Sequence, residues 1–351
     1  MATNTFNREN LFTAAKMTHN QETMDVAEVI NESNPLVHRM HVQQANDITS
    51  HVVSRRTKLP TPTWTNDGNG WNATTALLQQ ARETIGTMHD RYACPEDVMR
   101  RQPNPAKFRS QQERPHVEAM TQTVANQTYY GDYDRTTGAF TPEPEKFSGL
   151  AARYTALSSS ANILSGAADA SFVLNNGDSS ASDDTSIWFI QSGPGKVYYI
   201  YPRNSSTVGI KTVDEGRQLV SGDNSVASTS ATASNPTNQL WSYITEWTWD
   251  IGLCIEDGRA IKRLANISAV LTDSKTLDED YIIQIRNNFK TMGPIDMYMS
   301  EQIGTQLQIR AKDKSNVHWG PEDPFGRPQL MFLDMNIYID QAMKNDEASL
   351  T

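Results

Sequence analysis

The chain has 351 residues, of which 37% are hydrophobic, with a formal net charge of −10 and a mean hydropathy of −0.58. Single cores stop growing at about 250–300 residues, so this length predicts two or three structural units. The acidic balance speaks against wrapping of DNA, which needs clustered Lys and Arg to release counterions. Cys94 and Cys254 show neither a disulfide framework nor metal-ligand spacing. No charged-then-apolar leader and no run of about 18 apolar residues marks secretion or a membrane span. These features predict a protein made in a reducing cytoplasm, with no membrane partner.

Residues 1–52 are polar, with scattered apolar positions such as Phe6, Leu11, Met24, Val26, Val29 and Ile30. They bury too little to offset the entropy of ordering, so they read as an arm that needs a neighbour, with a short helix at 25–31. From Ser54 to Thr75, Pro60 and Pro62 enforce extended backbone. Asn66-Asp67-Gly68-Asn69-Gly70 then supplies a turn between Trp64 and Trp71, which predicts a long β-hairpin. Two tryptophans flanking a turn tip either anchor an interface or pack back on their own domain, and the sequence leaves both open. Asn104-Pro105 gives a helix start and Gly131 a stop, so 104–130 reads as one long helix. Val117, Met120 and Val124 mark its buried stripe, and Pro115 should kink or split it.

Residues 132–154 form a turn-rich linker. Apolar runs at 187–190 and 197–201 flank Ser192-Gly193-Pro194-Gly195-Lys196 and predict a second hairpin. Residues 221–237 carry no Lys or Arg and hardly any bulky side chain, which predicts a surface loop. From Trp241 to Ile255, Trp241, Tyr243, Trp247, Trp249, Ile251, Leu253 and Ile255 would share one face of a strand. An Asp257-Gly258 turn should then return the chain through Ile267 as a third hairpin. Tyr281, Ile282, Ile285 and Phe289 predict a helix at 278–289, and a second helix is expected at 300–309. The end, 326–340, reads as a strand with a register break near Asp334.

None of the short motifs supports chemistry. Gly68, Gly70 and Ala73 match a dinucleotide fingerprint in spacing, but no apolar strand precedes them and no crossover helix follows. Gly195-Lys196 lacks the upstream glycine and the following hydroxyl of a P-loop. Asp184-Thr185-Ser186 occurs once and lacks the glycine of an aspartic protease, so it reads as a capped turn before Ile187. His38 and His41 have no third ligand at fitting spacing, and nothing near Cys94 marks an activated thiolate. The expectation is no catalytic residue, no cofactor and no metal.

Gly252-Leu253 with Asp257 and Arg259, followed by Arg263-Leu264-Ala265-Asn266-Ile267, resembles a pattern in tailed-phage major capsid proteins. Further strings occur in the order found in the epsilon-fifteen-like group of short-tailed phages. They are Arg56-Thr57-Lys58-Leu59-Pro60 with Trp64 and Gly70, Phe108-Arg109, Glu118-Ala119-Met120 and Tyr130-Gly131-Asp132. Phe147-Ser148-Gly149-Leu150-Ala151-Ala152-Arg153-Tyr154, Thr185-Ser186-Ile187-Trp188 and Tyr201-Pro202 complete the series. Each string is short; their shared order carries the resemblance, which spans roughly residues 55–340.

The resemblance implies the α+β Hong Kong 97-type capsid fold. On that plan residues 1–52 are the N-terminal arm, 53–83 an extended E-loop over a neighbouring subunit, and 84–149 a peripheral domain whose spine helix is at about 104–130. Residues 150–330 would be the axial domain, with an inserted subdomain at about 165–240, and 331–351 a strand returning to the peripheral domain. The implied function is a major capsid (coat) protein that self-assembles into hexamers and pentamers of an icosahedral head shell around double-stranded DNA. No trio of Lys, Asn and buried Glu is marked, so a non-covalent shell is expected. Implied partners are further copies of the chain and scaffolding, portal and decoration or cement proteins; DNA would be enclosed without being read. The place would be the virion head, assembled in the host cytoplasm. Candidate inter-subunit contacts are Arg56, Lys58, Trp64 and Trp71 on the loop and Phe108 and Met120 on the spine helix. The alternative is a tryptophan-rich β adhesion or carbohydrate-binding protein, and a third reading is a hydrolase using some of the 41 acidic residues.

Overall fold

The computed structural model describes residues 18–19, 22–23, 32–155, 157, 173–177, 183–205, 208–221, 239–270, 275–289, 291–311, 317–321 and 328–350. The helix expected at 25–31 lies outside them, as does the loop expected at 221–237 except for its first residue, Ser221. In chain order the first elements are β1 (Thr18–His19), β2 (Glu22–Thr23), α1 (Pro35–Arg39), β3 (Val42–Gln44), β4 (Ser50–Lys58), β5 (Leu77–Thr84), β6 (Gly86–Pro95) and α2 (Glu96–Arg100). Next come α3 (Pro105–Tyr130), β7 (Tyr133–Asp134), β8 (Ala139–Phe140), α4 (Leu150–Arg153), β9 (Val173–Asn175), β10 (Asp184–Ile190), β11 (Val197–Tyr201), β12 (Lys211–Ser221) and β13 (Gln239–Ile255). A 3-10 turn (Gly258–Ala260) leads to β14 (Ile261–Ser268), α5 (Glu279–Asn288), β15 (Ile295–Met299), α6 (Glu301–Ala311), β16 (Val317–Pro321), β17 (Pro328–Phe332) and β18 (Met335–Ile339).

The chain divides into two compact units. The first is built mainly on Thr87–Thr121 and Thr207–Asp250. In it α3 begins at the Asn104 side chain, which accepts from Lys107 N at 3.1 Å, and Pro105 fills the first position, where no backbone donor is needed. The helix runs through Pro115 without ending, for 26 residues or about 39 Å at 1.5 Å per residue. Its stripe differs from the expected one: Met120 and Val124 are buried, whereas Val117 is exposed. β12 pairs antiparallel with β13 from Lys211↔Thr248 to Ser221↔Gln239, shifted by a bulge at Gly216, whose φ of 67° suits glycine. β6 pairs with the same strand. Tyr92, Cys94, Val98, Met99, Phe108, Met120 and Trp247 form the core, with Tyr243 and Trp249 packed against it. Arg109 locks helix to ribbon, donating to Glu113 and Asp214 at 2.7 Å each and to Thr245 Oγ1 at 2.6 Å.

The second unit comprises Glu32–Gly86, Gln122–Ser206 and Ile251–Thr351. The expected axial segment 150–330 is therefore not one body, since Thr207–Asp250 groups with the N-terminal part of α3. Its main sheet has the order β16-β17-β18-β15-β10-β14-β9. Helices α5 and α6 place Ile282, Ile285, Ile303 and Leu307 on Ile187, Phe189, Leu264, Ile267, Met297 and Met299, all buried. Full burial of such side chains contributes about 1.5–3 kcal/mol each. Asp278 caps α5 by accepting from Asp280 N at 3.1 Å. The expected break near Asp334 is a turn at Leu333 (φ 56°) that joins β17 to β18 as an antiparallel pair. Part of the expected arm also belongs to this body: Leu36, Met40 and Ala45 are buried and β3 pairs in parallel with β11.

Two expected hairpins do not form. β10 pairs with β14, and β11 pairs with the end of β13, so 184–190 is the partner of 261–268 and 197–200 that of 252–255. The Ser192–Lys196 and Asp257–Gly258 connectors lie opposite one another in this ribbon rather than at hairpin tips. The reason is local at the second. A tight Asp-Gly turn needs positive φ, whereas Asp257 has φ −115° and its carboxylate caps the 3-10 turn by accepting from Arg259 N at 2.9 Å. Asp184-Thr185-Ser186 is likewise not a capped turn but the first residues of β10.

Candidate assembly surface

β4 and β5 form a two-stranded antiparallel ribbon that pairs with no other strand among the described residues. Its root is buried at Ser50, His51, Val53 and Glu83, while its outer part is exposed. The strands end at Lys58 and resume at Leu77, so the expected hairpin is shifted: Pro60, Pro62 and both tryptophans lie in the non-strand tip. There Asn69 N donates to Asn66 O at 3.1 Å, and Gly68 takes the positive φ, 92°, that closes the turn.

Trp64 is 105% and Trp71 79% exposed, and Leu59, Leu77 and Leu78 are also exposed. This decides the question the sequence left open: the tryptophans do not pack back on their own domain. Arg56 and Lys58 are exposed on β4, directly across from Leu78 and Leu77. The remaining two candidates are corrected. Phe108 and Met120 are 0% and 2% exposed and fill the core of the first unit, so they are not available to a neighbour. Sequence reasoning missed Leu77 and Leu78; two adjacent leucines before Gln79-Gln80 break both helical and strand alternation, which was the available signal.

The ribbon is fastened at its root. Glu83 accepts from Arg153 Nη1 at 2.7 Å and lies 3.6 Å from Arg55 Nη2, while Arg55 also donates to the Ile255 carbonyl. Gly252 admits this root: a Cβ there would sit 2.5 Å from the Thr84 carbonyl oxygen. Beyond it, Arg263 is buried and hydrogen-bonded through all three nitrogens, donating to Ser186 Oγ (2.9 Å), Tyr154 O (2.8 Å) and Glu347 Oε2 (2.9 Å). Tyr130 Oη donates to the same carboxylate at 2.8 Å, and burial pushes its phenol well above the usual range. Asn266, at φ 59°, clasps Leu350 by donating to its carbonyl and accepting from its N–H, both at 2.8 Å. The Arg263–Ile267 string thus anchors the C-terminal tail, and the Gly252–Arg259 string seats the ribbon.

The sequence profile described as Major capsid protein GP7 matches residues 18–351. The chain belongs to this major capsid protein family. It is a coat protein of the phage head shell. Its fold is the Hong Kong 97-type α+β capsid fold, similar to the cryo-EM structure of bacteriophage epsilon15 at 20% identity and a TM-score of 0.73 over 100% of both chains. The capsid of phage XM1 aligns at 12% identity and a TM-score of 0.41, covering 72% of this chain and 98% of that one. An encapsulin from Synechococcus elongatus aligns at 10% and 0.43, covering 76% and 98%. No curated protein matches the chain. Among the described residues, Leu59, Trp64, Trp71, Leu77 and Leu78 bring five exposed large hydrophobic side chains together on the ribbon and its tip.

Proposed function

We propose that the β4–β5 ribbon is the E-loop of this coat protein and that its tip seats on an adjacent copy within hexamers and pentamers of an icosahedral shell. The observation that carries this reading is the exposure of Trp64 and Trp71 on a ribbon with no partner strand among the described residues. An isolated two-stranded ribbon is marginal in water, so its order is completed by contact. Two tryptophans bury about 300–500 Å², worth about 10 kcal/mol gross at ~25 cal/mol per Å² before the costs of association. The contact is heterologous, tip on foreign surface, and heterologous contacts close into rings. Arg56 and Lys58 border the apolar tip and set its register on an acidic chain. Phage double-stranded DNA is enclosed by a wall in which each chain carries a net charge of −10, which contains it without binding its sequence. Scaffolding, portal and decoration proteins are its further partners, and assembly takes place in the host cytoplasm.

The test is replacement of Trp64 and Trp71 by alanine, followed by light scattering and electron microscopy. The expected result is a folded subunit that no longer yields closed shells, because hot-spot aromatics cost about 2–4 kcal/mol each when truncated. Closed shells at wild-type yield from the double variant would overturn the reading.

A further inference from the structure

The ribbon root holds a histidine whose tautomer is dictated by its neighbours. His51, the second residue of β4, is 8% exposed. The backbone N–H of Asn46 donates to its Nδ1 at 3.1 Å, which leaves the ring proton on Nε2. Nε2 lies 3.1 Å from Tyr198 Oη and donates to it; Tyr198 in turn donates to Glu256 Oε2 at 3.1 Å. Three donors therefore run in one direction, from the turn before β4, through His51, to β11 and the residue after β13. The turn itself is tied to β4, since the Asn46 side chain bonds both the N–H and the carbonyl of Val52, at 2.9 and 2.8 Å.

A proton added at Nδ1 would set two donors face to face and place a charge in a buried site. The charged groups around the ring do not offset this. Glu83 is the cross-strand partner of His51, but it is already engaged by Arg153 and Arg55; Glu256 already accepts the Tyr198 hydrogen bond. Burial accordingly holds the imidazole below its ordinary 6.5, outweighing the upward pull of Glu256 and Glu83. With the folded value below the unfolded one, neutral His51 supports the fold above pH 6.5, and that support is lost as pH falls through the folded value.

We propose that His51 is an acid-operated release for the ribbon root: neutral, it bolts β4 to β11 through Tyr198; protonated, it frees the root and lets the ribbon move. Its consequence for shell geometry rests on reading the ribbon as the E-loop, whereas the release itself is a property of the single chain. The test is amide hydrogen exchange on unassembled subunits near pH 7.5 and near pH 5, corrected for intrinsic rates. Wild-type amides at 51–56 and 79–84 should lose about tenfold or more of their protection at the lower pH. His51→Asn and His51→Gln, which cannot titrate, should show no such step. A wild-type root equally protected at both pH values overturns the proposal, as does the same acid loss in both variants. If the variants do not fold, nitrogen NMR of histidine-labelled wild type decides. Nδ1 of His51 should gain its proton over the pH range in which the root opens, and opening with the ring still neutral overturns the release. Neither readout involves shells, so the assembly reading stands or falls separately.

Discussion

Asp340 is fully buried, and its carboxylate accepts hydrogen bonds from Leu36 N (3.4 Å), Tyr129 Oη (3.0 Å) and Ala342 N (3.0 Å). Burial outweighs these donors and pushes its pKa up to about 6. Because the folded value is raised, ionisation costs stability, about 3 kcal/mol at neutral pH. That cost is absent below the ordinary carboxylate value and complete above about 6. Carbon NMR of the Asp340 carboxyl should show a midpoint near 6, and a midpoint near 4 would contradict the account. Tyr129→Phe deletes one donor to the charged form, so it should raise that midpoint further and lower stability by about 1.5–3 kcal/mol at pH 7 in urea denaturation. At the other buried charge, Glu347→Gln leaves Arg263 without its counter-ion and should cost about 3–5 kcal/mol, measured the same way.

Glycines at element ends show why particular strings mark this fold. Gly131 and Gly149 meet backbone to backbone, with Gly149 N donating to Gly131 O at 3.0 Å. A Cβ on Gly131 would lie 2.6 Å from the Gln127 carbonyl oxygen and 2.7 Å from Gly149 N. The requirement is space, since Gly149 has φ −81°, open to any residue. Gly149→Ala should therefore cost about 1–3 kcal/mol or more in thermal or urea unfolding, and an unchanged midpoint would refute the close approach. Elements that carry their own period were legible in the sequence: α3, α5, α6, β13 and the apolar runs of β10 and β11. Their partners were not. Asp257-Gly258 has the composition of a hairpin turn, but a cap and a turn use the same aspartate, and only long-range pairing with 184–201 chooses between them. β5 and β12 escaped for another reason: strands exposed on most positions lose the alternation that reveals a buried face.

For the whole molecule, the sequence marked a candidate assembly surface where chemistry and position coincide. Trp64 and Trp71 flank a turn tip, where a large aromatic has no core to join, and the structure leaves both in solvent. Phe108 and Met120 could not be placed the same way, because an apolar residue on a helix serves a core and an interface equally well until the opposing strands are known. A soluble adhesin would present its aromatics in a cleft, whereas here they sit at the end of a ribbon that pairs with no other strand among the described residues and has basic and leucine flanks. The central claim is that this tip is buried by another copy of the chain. The most direct measurement is a cryo-EM reconstruction of the closed particle formed by the coat protein. Trp64 and Trp71 should lie against the surface of an adjacent subunit, with Arg56 and Lys58 at the rim of the contact. A closed shell in which the tip projects into solvent would contradict it.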